Sequence, residues 1–178
     1  GFYVNDELVG NGVTYLINNL KALPSLADPS EANRQAFILF VLSKAGHPQH
    51  SYISQLYEIR QTLSTYGKAY LAMAISMNNS DDERLKTLKS DFMNSAINSA
   101  TGTHWEEKFD DYNNWNTDTR TTALVLAAML MLDKDNPLNA NSVRWLMTNR
   151  TQGRWQTTQE TMWSLSAVSY THLRAHET

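Results

Sequence analysis

The residues best equipped for chemistry fall in one stretch, 100–116, where His104, Glu106, Glu107, Asp110 and Asp111 follow closely on one another and Asp118 stands just beyond. Carboxylates at that density would serve as oxygen ligands for a hard cation, or as the paired acids of glycoside hydrolysis. Neither reading has a companion signal, because no histidine pair stands at ligand spacing and no calcium-loop glycine pattern accompanies the acids. A solvated acidic loop is the simpler expectation, with His104 hydrogen-bonded to Glu106 or to a backbone carbonyl. No metal and no cofactor is expected. Zero cysteines remove a thiol nucleophile, thiolate ligands and disulfides from these residues. Asn78 and Asn149 lie in Asn-x-Ser/Thr triplets, which an asparagine-rich chain produces by chance, so neither is assigned a role.

A long irregular stretch needs rigid elements around it. The hydrophobic pattern supplies two kinds of helix in alternation. Segments 8–20, 53–63 and 85–97 each carry one apolar stripe, for example Val9, Val13, Leu16 and Leu20, and keep one wet face. Segments 36–42, 69–75 and 123–132 are apolar on every side, so both of their faces must be covered. A striped segment at 143–147 and an apolar one at 161–168 continue the order outer, inner. Local signals mark the boundaries: Asp28, Pro29 and Glu31 start a helix, Gly46, His47 and Pro48 stop it, and Ser80 with Glu83 and Thr157 with Glu160 have capping-box spacing. The five tryptophans and the Met129 and Met131 pair are expected in the core, with the Trp155 and Trp163 indoles filling space between hairpins and Gln159 and Glu160 satisfying helix-end groups. The inner starts near Pro29, Thr65, Thr117 and Thr158 are unevenly spaced, which argues against a fixed-period solenoid. The pattern predicts an all-α fold, an α/α toroid of helical hairpins with inner helices ringed by outer ones, incomplete at about four of six hairpins.

Bulk properties exclude several function classes. At 178 residues, 42% of them hydrophobic and 19% charged, the chain can bury roughly 70% of its unfolded surface as one domain. Net charge is −3 with the 15 basic residues scattered, so no electropositive footprint for nucleic acid exists. The longest apolar run, 123–132, is about half of a bilayer span, and no cleavable leader opens the chain.

Residues 116–132 (NTDTRTTALVLAAMLML), 136–147 (NPLNANSVRWLM) and 153–168 (GRWQTTQETMWSLSAV) resemble the closing hairpins of bacterial alpha-2-macroglobulin-like proteins, and 63–74 and 99–107 are similar to the same family. The Gly-Arg-Trp, Thr-Gln-Glu-Thr and Trp series at 153–163 is also similar to the Gln-Trp repeats of terpene cyclases, which share the toroid. The resemblance implies a partial thioester-type domain at 1–168, part of a broad-spectrum protease inhibitor that traps proteases and has no turnover of its own. Its implied partners are target proteases and the other macroglobulin domains of the parent chain, and its implied location is extracytoplasmic: periplasm, envelope or secreted. The family's thioester needs a Cys-x-Glu-Gln motif, which this sequence lacks; truncation upstream is the favoured explanation over loss. Residues 169–178 (SYTHLRAHET) resemble a translated sequencing adaptor, a non-native tail in which His172 and His176 do nothing. In some thioester proteins a histidine before the corresponding inner helix intercepts the thioester, and His104 holds a comparable position. The alternatives are a toroid-type enzyme, a cyclase, prenyltransferase or carbohydrate-active enzyme, and a helical-repeat scaffold. A protonating cyclase needs an Asp-x-Asp-Asp array, where residues 116–119 offer only Asp118. An incomplete ring is expected to expose apolar surface and self-associate.

Overall fold

A computed structural model describes the backbone of residues 5–175 and the side chains of residues 5–169. Its elements follow from local chemistry. The Asn5 side chain accepts the Glu7 amide and opens α1 (Asp6–Asn18). Asp28 accepts the Ser30 amide at 2.9 Å, and Pro29 supplies the first turn of α2 (Pro29–Lys44). That helix closes where His47 N–H donates to Leu42 O and Gly46 N–H to Ser43 O, the paired bonds that satisfy its last carbonyls. Next come α3 (His50–Glu58), a 3-10 turn Arg60–Thr62, α4 (Thr65–Asn78), α5 (Arg84–Ser95), α6 (Asp118–Leu132), α7 (Pro137–Thr148) and α8 (Thr158–Ala175).

The order outer, inner, outer, inner is the observed one. The inner helices α2, α4, α6 and α8 pack side by side in sequence order, while α3 sits against α2 and α4, α5 against α4 and α6, and α7 against α6. Residues 69–75 of α4 are all buried, as are residues 123–126 of the apolar segment of α6, which matches their hydrophobicity; the polar residues Thr119, Arg120, Thr121 and Thr122 just before them are buried as well. Each fully buried Leu there contributes roughly 1.5–3 kcal/mol. The two terminal inner helices differ from expectation: Phe37 of α2 and Met162 and Leu165 of α8 are exposed, so those helices are covered on one side only. Similarly α1 buries only Val13 of its stripe, and Val9 is exposed; Trp115 and Met131, expected in the core, are exposed too, Trp115 on the loop before α6 and Met131 in the last turn of that helix.

Three boundary expectations are corrected. Segment 85–97 is shorter than its stripe implied, because Ile97 leaves the helix and pairs in a strand. The α5 start uses Asp82, whose carboxylate accepts the Arg84 amide at 3.0 Å, rather than Ser80 with Glu83. Glu31 does not return to the α2 cap but pairs with Lys21 and Arg34.

The stretch expected to be irregular contains a β-hairpin, β1 (Ile97–Ser99) with β2 (Gly102–His104), antiparallel with Ile97 opposite His104. A Cβ on Gly102 would lie 2.3 Å from Asn141 O, and its φ of +135° is open only to glycine, so the hairpin lies flat on α7. From there Trp105, 1% exposed, anchors the loop in the core by donating its indole N–H to Phe92 O at 2.8 Å. Among the described residues no helix is long and apolar enough to cross a membrane. The backbone of α8 runs to Ala175; the side chain of His172, and all of His176, lie outside the described residues.

Candidate functional site

The first turns of all four inner helices converge at one end of the molecule, and residues 105–117 lie across them. Two carboxylates fix that loop. Glu107 accepts the Thr65 and Tyr66 amides at 3.0 Å each and the Thr121 hydroxyl at 2.9 Å, capping α4 from 42 positions away and tying it to α6. Ser64, the residue at the cap position, makes no side-chain cap of its own. Asp111, 3% exposed, accepts from the Tyr66 phenol at 2.5 Å, Ser30 at 3.0 Å, Asn33 at 3.2 Å and the Asn114 amide side chain at 2.9 Å. A solvated acidic loop is therefore the wrong description for these two, although Glu106, Asp110 and Asp118 are exposed. Asp111 is buried and Glu107 half-buried, and each of their four oxygens accepts at least one donor, the condition under which a carboxylate leaves water.

The two carboxyls titrate in opposite directions. Burial pushes Glu107 above the usual carboxylate range, outweighing the two amides and the Thr121 hydroxyl that favour its charged form. Burial also acts on Asp111, but the donors from Tyr66, Asn114, Asn33 and Ser30 together outweigh it and hold the group below its usual range. Tyr66 itself is raised, by burial first and then by its bond to Asp111.

Arg120, in the first turn of α6, is 7% exposed. Its guanidinium donates to Asn114 O at 3.3 Å, Asn116 Oδ1 at 3.1 Å and the Tyr70 hydroxyl at 3.1 Å, and lies 5.2 Å from the Tyr66 ring centroid. Burial pushes the Tyr70 phenol up to about 12 despite that neighbouring cation. The Thr117 hydroxyl, the cap of α6, also donates to Glu160 at 2.7 Å, and Glu160 closes the expected capping box with Thr157 at 3.1 Å in both directions. Of these, Tyr66, Tyr70, Thr117, Arg120 and Thr157 wall a cavity of about 980 Å³ at the inner-helix ends, with Phe37, Trp115, Met162 and Trp163 on its apolar side.

His104 does not line that cavity. It ends β2, its Nε2 lies 3.0 Å from Glu106 Oε1, and its ring stacks on Trp145 of α7 at 4.7 Å and 4°. The expected hydrogen bond to Glu106 is present; Nδ1 is buried without a partner. Trp155 donates to Leu146 O at 3.0 Å, and Trp163 packs 6.0 Å from Phe40 and 5.6 Å from Tyr70. The triplet asparagines are engaged internally, Asn78 with Ser43 and Ala74 O, Asn149 with Thr119. Sequence reasoning missed Asn33, Tyr66, Tyr70 and Arg120. The available signal was a polar residue inside an apolar helix, since such a group survives burial only with partners.

Comparison with known proteins supplies the remaining findings. The model of a family described as the A-macroglobulin TED domain matches residues 22–170. No curated protein matches the sequence. Among solved structures, Salmonella alpha-2-macroglobulin reacted with methylamine is similar over 95% of this chain and 11% of its own, at 20% identity and a TM-score of 0.67. Native Escherichia coli alpha-2-macroglobulin, from domain MG7 to the C-terminus, is similar over 94% of this chain and 26% of its own, at 17% identity and a TM-score of 0.67. The Escherichia coli protein activated by porcine elastase is similar over 96% of this chain and 15% of its own, at 18% identity and a TM-score of 0.69. At these identities the likeness establishes the fold, and this chain spans a minor part of each neighbour.

Proposed function

The chain belongs to the A-macroglobulin TED domain family, and from that premise we propose that it is part of the helical thioester-type domain of a bacterial protease-trapping inhibitor, with no turnover of its own. The observation that carries this reading over a toroid-type enzyme is the wall of the cavity at the inner-helix ends. Phe37, Tyr66, Tyr70, Met162 and Trp163 dominate it, and among the described residues no carboxylate lines it. The two acids nearby, Asp111 buried and Glu107 half-buried, are engaged in holding helix ends. Acid chemistry in a toroid needs a cooperating pair facing the substrate, and none faces this space. The helical-repeat scaffold is also disfavoured, since Trp163 of the last inner helix meets Phe40 of the first and so bends the row toward a ring.

In this reading the partners are target proteases and the neighbouring domains of the parent chain, and the location is extracytoplasmic. The test is made on the intact parent protein, encoded by the native gene. Incubated with an active endoprotease such as elastase, it is expected to change conformation and retain the protease, and its upstream hairpins are expected to carry Cys-x-Glu-Gln. A parent that is merely digested, with neither retention nor compaction, would remove the proposal.

His104 is proposed as the thioester-modulating residue of that parent. Its support is its place immediately before the loop that leads into α6. To act as a nucleophile its Nε2 must leave Glu106, so the pair would hold it in reserve. In the parent, His104→Ala is expected to lower acyl transfer to glycerol relative to methylamine; an unchanged ratio would leave His104 as a loop anchor only.

A further inference from the structure

Arg120 is a buried cation with no counter-ion. Among the described residues no carboxylate lies within ion-pair distance of its guanidinium. Its Nε is buried with no hydrogen-bond partner, while its other nitrogens meet only neutral acceptors. Leaving a buried charge unpaired is costly, and proteins normally avoid it. The acids near it are engaged elsewhere: Asp118 accepts the Glu107 amide, Glu160 holds Thr117 and Thr157, and Asp111 bonds Tyr66, Asn33, Ser30 and Asn114. Arg34, the other cation on the cavity wall, is already paired with Glu31.

The surroundings add to the positive field. Thr117 at the start of α6, and Thr157 and Thr158 at the start of α8, line the same cavity, so the N-terminal ends of two long helices face it. The remaining wall is aromatic, with Phe37, Tyr70 and Trp163, and Trp115 stands at the rim 82% exposed in a left-handed conformation with φ of 52°. That backbone conformation closes the 3-10 turn Tyr112–Asn114, with the Trp115 N–H on Tyr112 O and the Asn116 N–H on Asp111 O, and it holds the ring at the cavity rim. The space, about 980 Å³, falls at the upper end of the range for small-molecule sites, which pair apolar walls with a few placed polar groups.

We propose that this cavity binds a carboxylate borne on an aromatic or aliphatic body, with the Arg120 guanidinium receiving the carboxylate and Phe37, Trp115 and Trp163 enclosing the body. The carboxylate has two possible sources, a free organic acid or the C-terminus of a peptide. Lysine would not substitute, because an ammonium lacks the planar fork that a carboxylate meets with two bonds. The proposal is independent of protease capture and stands or falls separately from it.

The experiment is calorimetric titration of the full chain at pH 7 and low salt with N-acetylphenylalanine and with its uncharged amide, followed by benzoate. The acid is expected to bind at least tenfold more tightly than the amide, and to weaken as salt is raised. Benzoate binding as well as N-acetylphenylalanine identifies a free acid as sufficient; binding of N-acetylphenylalanine alone identifies a chain terminus. Arg120→Lys, checked for native helicity and melting, is expected to weaken the acid tenfold and leave the amide unchanged. Equal affinity for acid and amide, no binding of either to folded protein, or an unaffected Arg120→Lys would overturn the proposal. The acid and amide comparison needs no variant, so it decides the matter even if Arg120→Lys does not fold.

Discussion

Glu107 and Asp111 are four residues apart on one loop, yet their environments impose opposite pH dependences. Asp111 has a folded pKa below its ordinary 3.8, so its contribution to stability is complete above that value and is lost as pH falls through the folded pKa. Glu107 has a folded pKa above its ordinary 4.5, so its contribution is complete below 4.5 and declines as pH rises through the folded value. Thermal melts across pH should separate them. Asp111→Asn is expected to flatten the loss of stability below pH 3.8 and to cost about 2 kcal/mol at neutral pH, as an amide cannot accept from all the same donors. Glu107→Gln is expected to remove the decline above pH 4.5 while costing about 1 kcal/mol, since its amide nitrogen would face the Thr65 or the Tyr66 N–H. If both variants kept the wild-type pH profile, these carboxylates would not be the groups that couple folding to protons.

Between elements, the closest fit is that of α2 with α4. A Cβ on Gly67 would stand 2.2 Å from Asn33 Oδ1. That oxygen accepts the Ser64 amide at 3.0 Å, and the same side chain donates to Ser64 Oγ at 2.8 Å and to Asp111. Gly67→Ala would displace Asn33, and through it the start of α4 and the overlying loop. A loss of about 2–3 kcal/mol in chemical denaturation is expected, despite the better helix propensity of alanine. A gain of stability would mean that Asn33 moves without consequence and that the loop is held by its carboxylates alone.

At the scale of the molecule, large apolar side chains reach solvent on the first hairpin and the last. Leu8 is 66% exposed, Phe37 41%, Met162 49% and Leu165 53%. Apolar surface gathered on such elements favours association. The isolated chain is expected to self-associate with rising concentration in light scattering, and Leu8→Lys with Leu165→Lys to reverse this without lowering helicity. A monomer at every concentration would show that these faces are too dispersed to drive contact.

The sequence by itself determined the kinds of helix, their alternation and most of their ends, because periodicity and capping act within a few residues. Asp28 and the Thr157 and Glu160 pair behave as their spacing implies, and residues 69–75 and 123–126 are buried as all-round apolar segments must be. The sequence also carried the family resemblance, through residues 116–168. It did not disclose which acids of the loop are buried, since Glu107 finds its donors 41 and 42 positions away and Asp111 reaches Ser30 across 81. Nor did it disclose that Arg120 has no counter-ion among the described residues, a fact set by where four helix ends meet. Local geometry is written in near neighbours, whereas the charge state and partners of a buried group depend on elements that only folding brings together.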